Sequence, residues 1–225
     1  MPTQIRKVLI TGGARGIGKA IADEMVQRGF EVIGPQRAEL DLADVASIEA
    51  YVTRNADLAV DVLINNAGIN VLNDVEQIVA TDWAAMLQVN LTAPLRLMQA
   101  FVPGMRARCW GRVLNISSIF SVVTKERRAA YSTTKAGLNG LTRTAATEFG
   151  PDNVLVNALC PGYVETALTH QNNSPADIER ICASIPLGRL AKPEELARYA
   201  GFLCSEENTY LTGQAIVVDG GFTCK

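Results

Sequence analysis

Short apolar runs alternate with amphipathic segments along the chain, and this pattern predicts a repeated strand–helix order. Strands are predicted at residues 7–11, 31–34, 38–41, 61–65, 111–117, 153–159 and 214–218. Helices are predicted at residues 16–28, 45–55, 82–108 (bent near Pro94), 131–149, 175–184 and 193–204. Because strands that alternate with helices favour a parallel sheet covered on both faces, we expect a doubly wound α/β fold with ligands at the carboxyl ends of the strands.

One connection in this pattern is unusually short. Residues 35–38 supply only a tight connection into the third predicted strand, whereas a helical crossover between parallel strands needs about a dozen residues. We therefore expect the sheet to be abbreviated here, with part of one face left without a covering helix.

Length and composition limit the classes of function. A chain of 225 residues, 48% of them hydrophobic and 20% charged, fits a single globular domain over residues 1–225. Its net charge of −2 offers no basic field for nucleic acid or an anionic membrane. We find no apolar stretch long enough to span a bilayer and no signal-peptide pattern, which favours a cytoplasmic location. The five cysteines are scattered without a CxxC pair, so neither a disulfide framework nor a metal site is expected.

The N-terminal segment has the form of a dinucleotide-binding turn. The strand predicted at 7–11 leads directly into Gly-Gly-Ala-Arg-Gly-Ile-Gly, and an amphipathic helix follows. Gly12, Gly16 and Gly18 would let the backbone approach a pyrophosphate, and the helix N-terminus would supply unpaired N–H groups. The alternative is a glycine-rich turn that binds no ligand.

A second group of residues could move a proton. Tyr131 and Lys135 are four residues apart in a predicted helix, so the phenol and the ammonium share one face. A free phenol has a pKa near 10, and a nearby cation would lower it toward the neutral range. The pair alone is a weak signal, and its value depends on the motifs around it.

Taken together, these motifs resemble the short-chain dehydrogenase/reductase family. They occur in the family's order: Thr11-Gly12-x-x-x-Gly16-x-Gly18, Asn65-Asn66-Ala67-Gly68, Asn90, Ser118, Tyr131-x-x-x-Lys135 and Pro161-Gly162. The C-terminal segment is similar to that of 3-oxoacyl-carrier-protein reductases and their relatives. The resemblance implies a Rossmann-type three-layer sandwich with a seven-stranded, mostly parallel sheet in the order 3-2-1-4-5-6-7.

The resemblance also assigns catalytic roles. Tyr131 would exchange a proton with the substrate oxygen, and Ser118 would hydrogen-bond that oxygen. Ser117 competes for this role, but the family's spacing to the tyrosine selects Ser118. Lys135 would bind the nicotinamide ribose and lower the pKa of Tyr131, while Asn90 would distort its helix and complete a proton relay through water.

The cofactor implied is NADP(H) or NAD(H). The expected binding residues are Thr11, Gly12, Arg15, Gly16, Ile17, Gly18, Arg37, Asp41, Leu42, Asn65, Ala67, Gly68, Tyr131, Lys135, Pro161, Gly162, Val164 and Thr166. No acidic residue ends the second strand to hold a ribose 2′-hydroxyl, and Arg37, assisted by Arg15, could instead meet a 2′-phosphate. This favours NADP(H), unless Arg37 is only a solvated surface residue. Asp41 would contact the adenine or, alternatively, cap the next helix.

The substrate implied is a small ketone or secondary alcohol, by default a 3-oxoacyl thioester. A sugar or sugar nucleotide is the alternative, and a dinucleotide-sensing protein without turnover is a third reading. Lys125, Arg127 and Arg128 flank the expected cleft, where they could attract an anionic substrate or form a solvated loop edge. The helices predicted at 82–108 and 131–149 carry apolar residues over a wide arc, which favours a homo-oligomer, a tetramer or a dimer.

Overall fold

One six-stranded sheet forms the centre of the computed structural model, which describes residues 5–224. Its strands are β1 (Lys7–Ile10), β2 (Glu31–Ile33), β3 (Val62–Asn65), β4 (Gly111–Ile116), β5 (Val154–Pro161) and β6 (Ala215–Val218). They lie in the order β2-β1-β3-β4-β5-β6, and every neighbouring pair is parallel. The strand order reverses between β1 and β3, and such a switch point is where doubly wound sheets bind their ligands.

Helices cover both faces of this sheet. They are α1 (Gly16–Gln27), α2 (Val45–Arg54), α3 (Ala80–Leu87), α4 (Ala93–Ala107), α5 (Ala129–Phe149), α6 (Ala167–Asn172), α7 (Pro175–Ser184) and α8 (Pro193–Cys204). Side chains alternate between the faces of a strand, so Leu9 packs into one core with Leu97 and Phe101 of α4. Ile10 packs into the opposite core with Ile21 of α1. The predicted doubly wound three-layer fold is confirmed.

The predicted strand at residues 38–41 is wrong, and the sheet has six strands instead of seven. Residues 37–39 form a turn after β2, and Leu40 and Leu42 then place their side chains in the core. Four residues cannot carry the chain back across the sheet to start a neighbouring parallel strand. The chain instead reaches α2 directly, and Asp44 caps that helix by accepting a hydrogen bond from the backbone N–H of Ala46.

The predicted helix at 82–108 is divided into three parts. A turn of π-helix at Gln88–Thr92 separates α3 from α4, so the irregularity lies just before Pro94 and is centred on Asn90. The short helix α6 was not predicted, and Thr166 caps it through its side chain.

Most apolar residues of the 82–108 segment are covered within the chain. Met86, Leu97, Met98, Phe101 and Val102 are buried, whereas Leu95 is 37% exposed. The apolar side chains of this wide arc are therefore buried largely in the core of the same chain. Across residues 5–224, no helix combines the length and apolar character needed to cross a membrane.

Candidate active site

The turn between β1 and α1 presents backbone N–H groups at the switch point of the sheet. Gly12 and Gly16 have positive φ values of 65° and 56°, which glycine adopts at little cost. A Cβ on Gly18 would lie 2.2 Å from the carbonyl oxygen of Gly12, so no larger residue fits there. The N-cap residue Arg15 makes no side-chain capping bond, and the first turn of α1 holds no acidic residue. This helix N-terminus is suited to bind an anion such as a pyrophosphate.

The segment that follows β3 is fixed directly to this turn. The hydroxyl of Thr11 accepts hydrogen bonds from the backbone N–H groups of Asn66 and Ala67, both at 3.1 Å. The Asn66 amide in turn donates to the carbonyls of Thr11 and Gly12 at 2.9 and 3.1 Å. Asn66 was not among the predicted binding residues, yet it holds the two loops together. Asn65 is buried and donates to Asn115 across the sheet, which is a structural contact.

The residues after β5 form the opposite wall. The N–H of Gly162 donates to Val218 of β6 at 2.9 Å, and a Cβ on Gly162 would lie 2.7 Å from the Cα of Asp219. Glycine is therefore required where these two loops pass each other. Val164 is buried, and Thr166 stands at the start of α6. Pro161, Gly162, Val164 and Thr166 all line the same cavity.

Asn90 connects the π-turn to the loop after β3. Its amide donates to the carbonyl of Ile69 at 2.9 Å and accepts from the N–H of Ile69 at 2.9 Å. A second donor contact reaches the hydroxyl of Thr134 on α5 at 3.1 Å. A Cβ on Gly68 would lie 3.3 Å from Oδ1 of Asn90 and 3.5 Å from Nζ of Lys135. The glycine therefore leaves space beside both the amide and the ammonium.

Lys135 is a buried cation. It is 3% exposed, and its Nζ donates to the carbonyl of Ile116 at 2.8 Å. Burial lowers the pKa of Lys135 from its ordinary value of 10.5 to about 8, because the charged form is poorly solvated there. Its Nζ lies 5.7 Å from the centroid of the Tyr131 ring, as the four-residue spacing on α5 requires.

The phenol of Tyr131 has a raised pKa in this structure, contrary to the lowering expected from Lys135. Burial is the main cause, while a hydrogen bond with Ser118 and the charge of Arg128 act in the opposite direction. A phenol with a raised pKa remains protonated at neutral pH and can donate a proton. The neighbouring Ser117 instead directs its hydroxyl to the carbonyl of Lys135 at 3.2 Å. Ser118 is thus the serine that contacts the phenol.

These groups share one cavity of about 240 Å³ at the carboxyl ends of β4 and β5. Ser118, Tyr131 and Lys135 line it together with Ile17 of the glycine turn and Gly68. A proton donor, a hydroxyl and a cation therefore surround the space next to the glycine turn. A carbonyl oxygen held there could be polarised and protonated.

Arg37 and Asp41 lie apart from that cavity and bind each other. Nε of Arg37 is 3.1 Å from Oδ2 of Asp41, and the Arg37 side chain is 81% exposed. The other Asp41 oxygen accepts the N–H of Ala43, and this hydrogen bond is the largest cause of the lowered pKa of Asp41. The side chain of Leu42 is buried, and its carbonyl accepts a hydrogen bond from Gln88.

Several cavity residues were not identified as site residues from the sequence. They are Asn66, Ile69, Asn70, Ile116, Phe120, Arg128, Tyr163, Thr169 and Asn173. Arg128 was noted only with its neighbours Lys125 and Arg127 as a flanking cation. Those two are exposed, whereas Arg128 is 8% exposed. Its position three residues before Tyr131, one helical turn away, was the available signal.

Comparison with known proteins agrees with this geometry. A family model described as enoyl-(acyl carrier protein) reductase matches residues 35–223, and one described as short chain dehydrogenase matches residues 6–59. The 3-oxoacyl-[acyl-carrier-protein] reductase FabG of Vibrio cholerae is 35% identical, covering 95% of each chain. The acetoacetyl-CoA reductase of Shinella zoogloeoides is 38% identical, covering 96% of this chain and 98% of its own.

A solved structure shares nearly the whole fold. It is a protein from Beutenbergia cavernae assigned as an NAD(P)-dependent gluconate 5-dehydrogenase, with NADP bound at low occupancy. Its TM-score is 0.93 at 35% identity, with 98% of this chain and 97% of that chain covered. The chain belongs to the short-chain dehydrogenase/reductase family of oxidoreductases.

Proposed function

We propose that the protein interconverts a ketone and a secondary alcohol with NADP(H), and that Tyr131 donates the proton during reduction. The observation that carries this proposal is the cavity in which Ser118, Tyr131 and Lys135 converge beside the glycine turn. A sensor that binds a dinucleotide without turnover has no need of these proton-transferring groups, so we favour an enzyme.

The residues present fit the cofactor. The uncapped N-terminus of α1 and the close approach permitted by Gly12 and Gly18 suit a pyrophosphate. Lys135, Val164 and Thr166 line the cavity where a nicotinamide riboside would lie. The chemistry that NADPH supplies when bound is hydride transfer to the carbonyl carbon.

Side chains of the protein would then donate the proton and allow it to be replaced. Tyr131 stays protonated because burial raises the pKa of its phenol, and it gives that proton to the carbonyl oxygen. Ser118 holds the same oxygen by a hydrogen bond. Lys135 orients the ribose, and the space beside Gly68 between Lys135 and Asn90 gives a route by which water could return the proton.

Two substrate classes follow from the relatives. The carrier-protein and coenzyme A reductases favour a 3-oxoacyl thioester, while the gluconate 5-dehydrogenase favours a sugar-derived substrate. Initial rates of NADPH oxidation with acetoacetyl-CoA, 5-oxogluconate and neutral ketones would separate them. Absence of turnover with every carbonyl compound would contradict the proposed reaction.

Arg37→Ala is expected to weaken NADPH binding more than NADH binding. The Arg37 side chain is 81% exposed and makes one ion pair, through Nε, so its terminal nitrogens can meet a 2′-phosphate. Loss of a charge-assisted contact costs about 1.5–3 kcal/mol, or roughly one to two decades in affinity. Titration of cofactor fluorescence gives both dissociation constants. Equal losses for NADPH and NADH, or the same loss in the exposed control Arg198→Ala, would contradict this role.

We also propose a homo-oligomer, a tetramer or a dimer, in a reducing cytoplasmic setting consistent with five free cysteines. Leu95 on α4, Tyr199 and Phe202 on α8, and Tyr210 remain exposed and are available to a second copy. Light scattering coupled to gel filtration should report a mass at least twice the 24.2 kDa of one chain. A fully active monomer at micromolar concentration would contradict the prediction.

A further inference from the structure

Arg128 is a buried guanidinium without an anionic partner among residues 5–224. It is 8% exposed, and its Nε is enclosed without a hydrogen-bond acceptor. No ion pair or side-chain hydrogen bond involves this residue in the part of the chain that the structure describes. Buried charges are ordinarily paired, because an unpaired one loses its hydration without compensation. Arg128 therefore lacks the anion with which a buried guanidinium is ordinarily paired.

The guanidinium is held in place by an aromatic ring. It lies 5.0 Å from the centroid of Phe120, and both residues line the cavity that contains Tyr131. This cation–π contact leaves the N–H donors of the guanidinium without an acceptor among the described residues. Those donors match the two oxygens of a carboxylate.

A second unsatisfied polar group belongs to another residue that lines the same cavity. Oδ1 of Asn70 is buried and has no hydrogen-bond partner among the described residues, and Asn70 lines the cavity with Arg128. Two polar groups of residues that line this cavity therefore lack partners among the described residues, which favours a polar molecule over an acyl chain. Because Oδ1 is an acceptor, it could take a hydrogen bond from a hydroxyl of that molecule.

We infer that Arg128 binds a carboxylate of the substrate, so that the substrate class is a short oxo acid and its hydroxy acid. Arg128 is the N-cap residue of α5, three residues before Tyr131, and the two residues line the same cavity and interact electrostatically. The carboxylate then lies close to the reacting carbonyl, which selects 2-oxo and 3-oxo acids. This inference rests on the proposed ketone–alcohol reaction, and it favours a free acid over a thioester, whose corresponding carbonyl is uncharged.

The alternative role for Arg128 is electrostatic. Its positive charge already lowers the pKa of Tyr131, against the larger effect of burial. If that were its whole function, replacement would change turnover of charged and uncharged substrates alike. A carboxylate contact instead affects only the substrate that carries the charge.

The test compares matched pairs of substrate: 2-oxo and 3-oxo acids of four to six carbons, and the methyl ester of each. Values of kcat/KM for NADPH oxidation are measured with wild type, Arg128→Gln, Arg128→Lys and the exposed control Arg127→Gln. Wild type should favour at least one acid over its ester by about 10- to 100-fold. Arg128→Gln should lower that acid-to-ester ratio by a similar factor, Arg128→Lys should lower it less, and Arg127→Gln should retain it.

Each outcome is decisive for one claim. A wild type that prefers the ester of every pair, or an Arg128→Gln variant that retains the ratio, would overturn the carboxylate role. Turnover of neutral ketones without turnover of any oxo acid would also overturn it while leaving the proposed reaction intact. Failure to oxidise NADPH with acetoacetyl-CoA, oxo acids, esters and neutral ketones alike would instead reject the proposed function. Circular dichroism of each variant establishes that the fold is kept.

Discussion

Tyr131→Phe is expected to reduce kcat by about 10²- to 10⁴-fold, the usual contribution of a general acid. The change removes the phenol proton and its hydrogen bond with Ser118 but preserves the ring, which packs edge-on against Phe120 at a centroid distance of 6.5 Å. NADPH affinity should therefore change by no more than about twofold, since no large contact area is lost. Steady-state kinetics and a fluorescence titration measure the two quantities separately.

Replacement of Ser118 provides a comparison in which a smaller loss of activity is expected. Ser118→Ala removes a hydrogen bond to the phenol and one donor for the substrate oxygen, while Tyr131 can still supply the proton. We expect a smaller loss than in Tyr131→Phe. An equal or greater activity in Tyr131→Phe than in Ser118→Ala would show that the tyrosine is not the acid.

Lys135→Met is expected to reduce activity strongly and to stabilise the protein. The variant removes the proposed ribose contact and the proposed proton relay, so NADPH affinity and kcat should both fall, kcat by about 10²-fold or more. The folded state, however, lowers the pKa of Lys135 from 10.5 to about 8 because it buries the charge. Keeping that charge at neutral pH costs about 3 kcal/mol. Methionine avoids this cost but leaves the carbonyl of Ile116 without its hydrogen-bond donor. Loss of that hydrogen bond offsets about 1–2 kcal/mol of the gain in folding stability.

The pH dependence distinguishes this effect from a general change in packing. Between pH 8 and 10.5 the unfolded chain holds a proton that the folded chain has released, so the stability of wild type rises with pH in that window. The advantage of Lys135→Met should be greatest below pH 8 and lost by pH 10.5. Urea unfolding of the cofactor-free proteins measures it, and the exposed Lys125→Met serves as control. A less stable Lys135→Met variant at pH 7 would contradict the account.

The strand–helix order and the convergence of the candidate catalytic residues in one cavity could be predicted because each depends on local sequence. The glycine turn is one example, since the positive φ of Gly12 and the contact at Gly18 permit few other residues. The strand predicted at 38–41 does not form, and the reason is the length of the connection that precedes it. Its residues alternate between apolar and charged, as in a half-buried strand, but the preceding connection is too short to place them beside β2.

Other features depended on tertiary contacts that periodicity does not record. The π-turn at Gln88–Thr92 positions Asn90 for its two hydrogen bonds with Ile69, a residue 21 positions away. The raised pKa of Tyr131 arises from burial, which opposes the charges expected to lower it. Arg127 and Arg128 are adjacent arginines that the sequence pattern does not distinguish. The fold buries Arg128 and leaves Arg127 exposed.

The central claim is that this cavity reduces a ketone with NADPH through a proton from Tyr131. The most direct test incubates wild type with NADPH and individual ketones and oxo acids, and follows NADPH, carbonyl compound and alcohol by mass spectrometry. The account predicts equimolar loss of NADPH and carbonyl compound with equal gain of alcohol, at a rate at least about 100-fold lower in Tyr131→Phe. No alcohol from any compound with wild type, or equal rates in the two proteins, would contradict it.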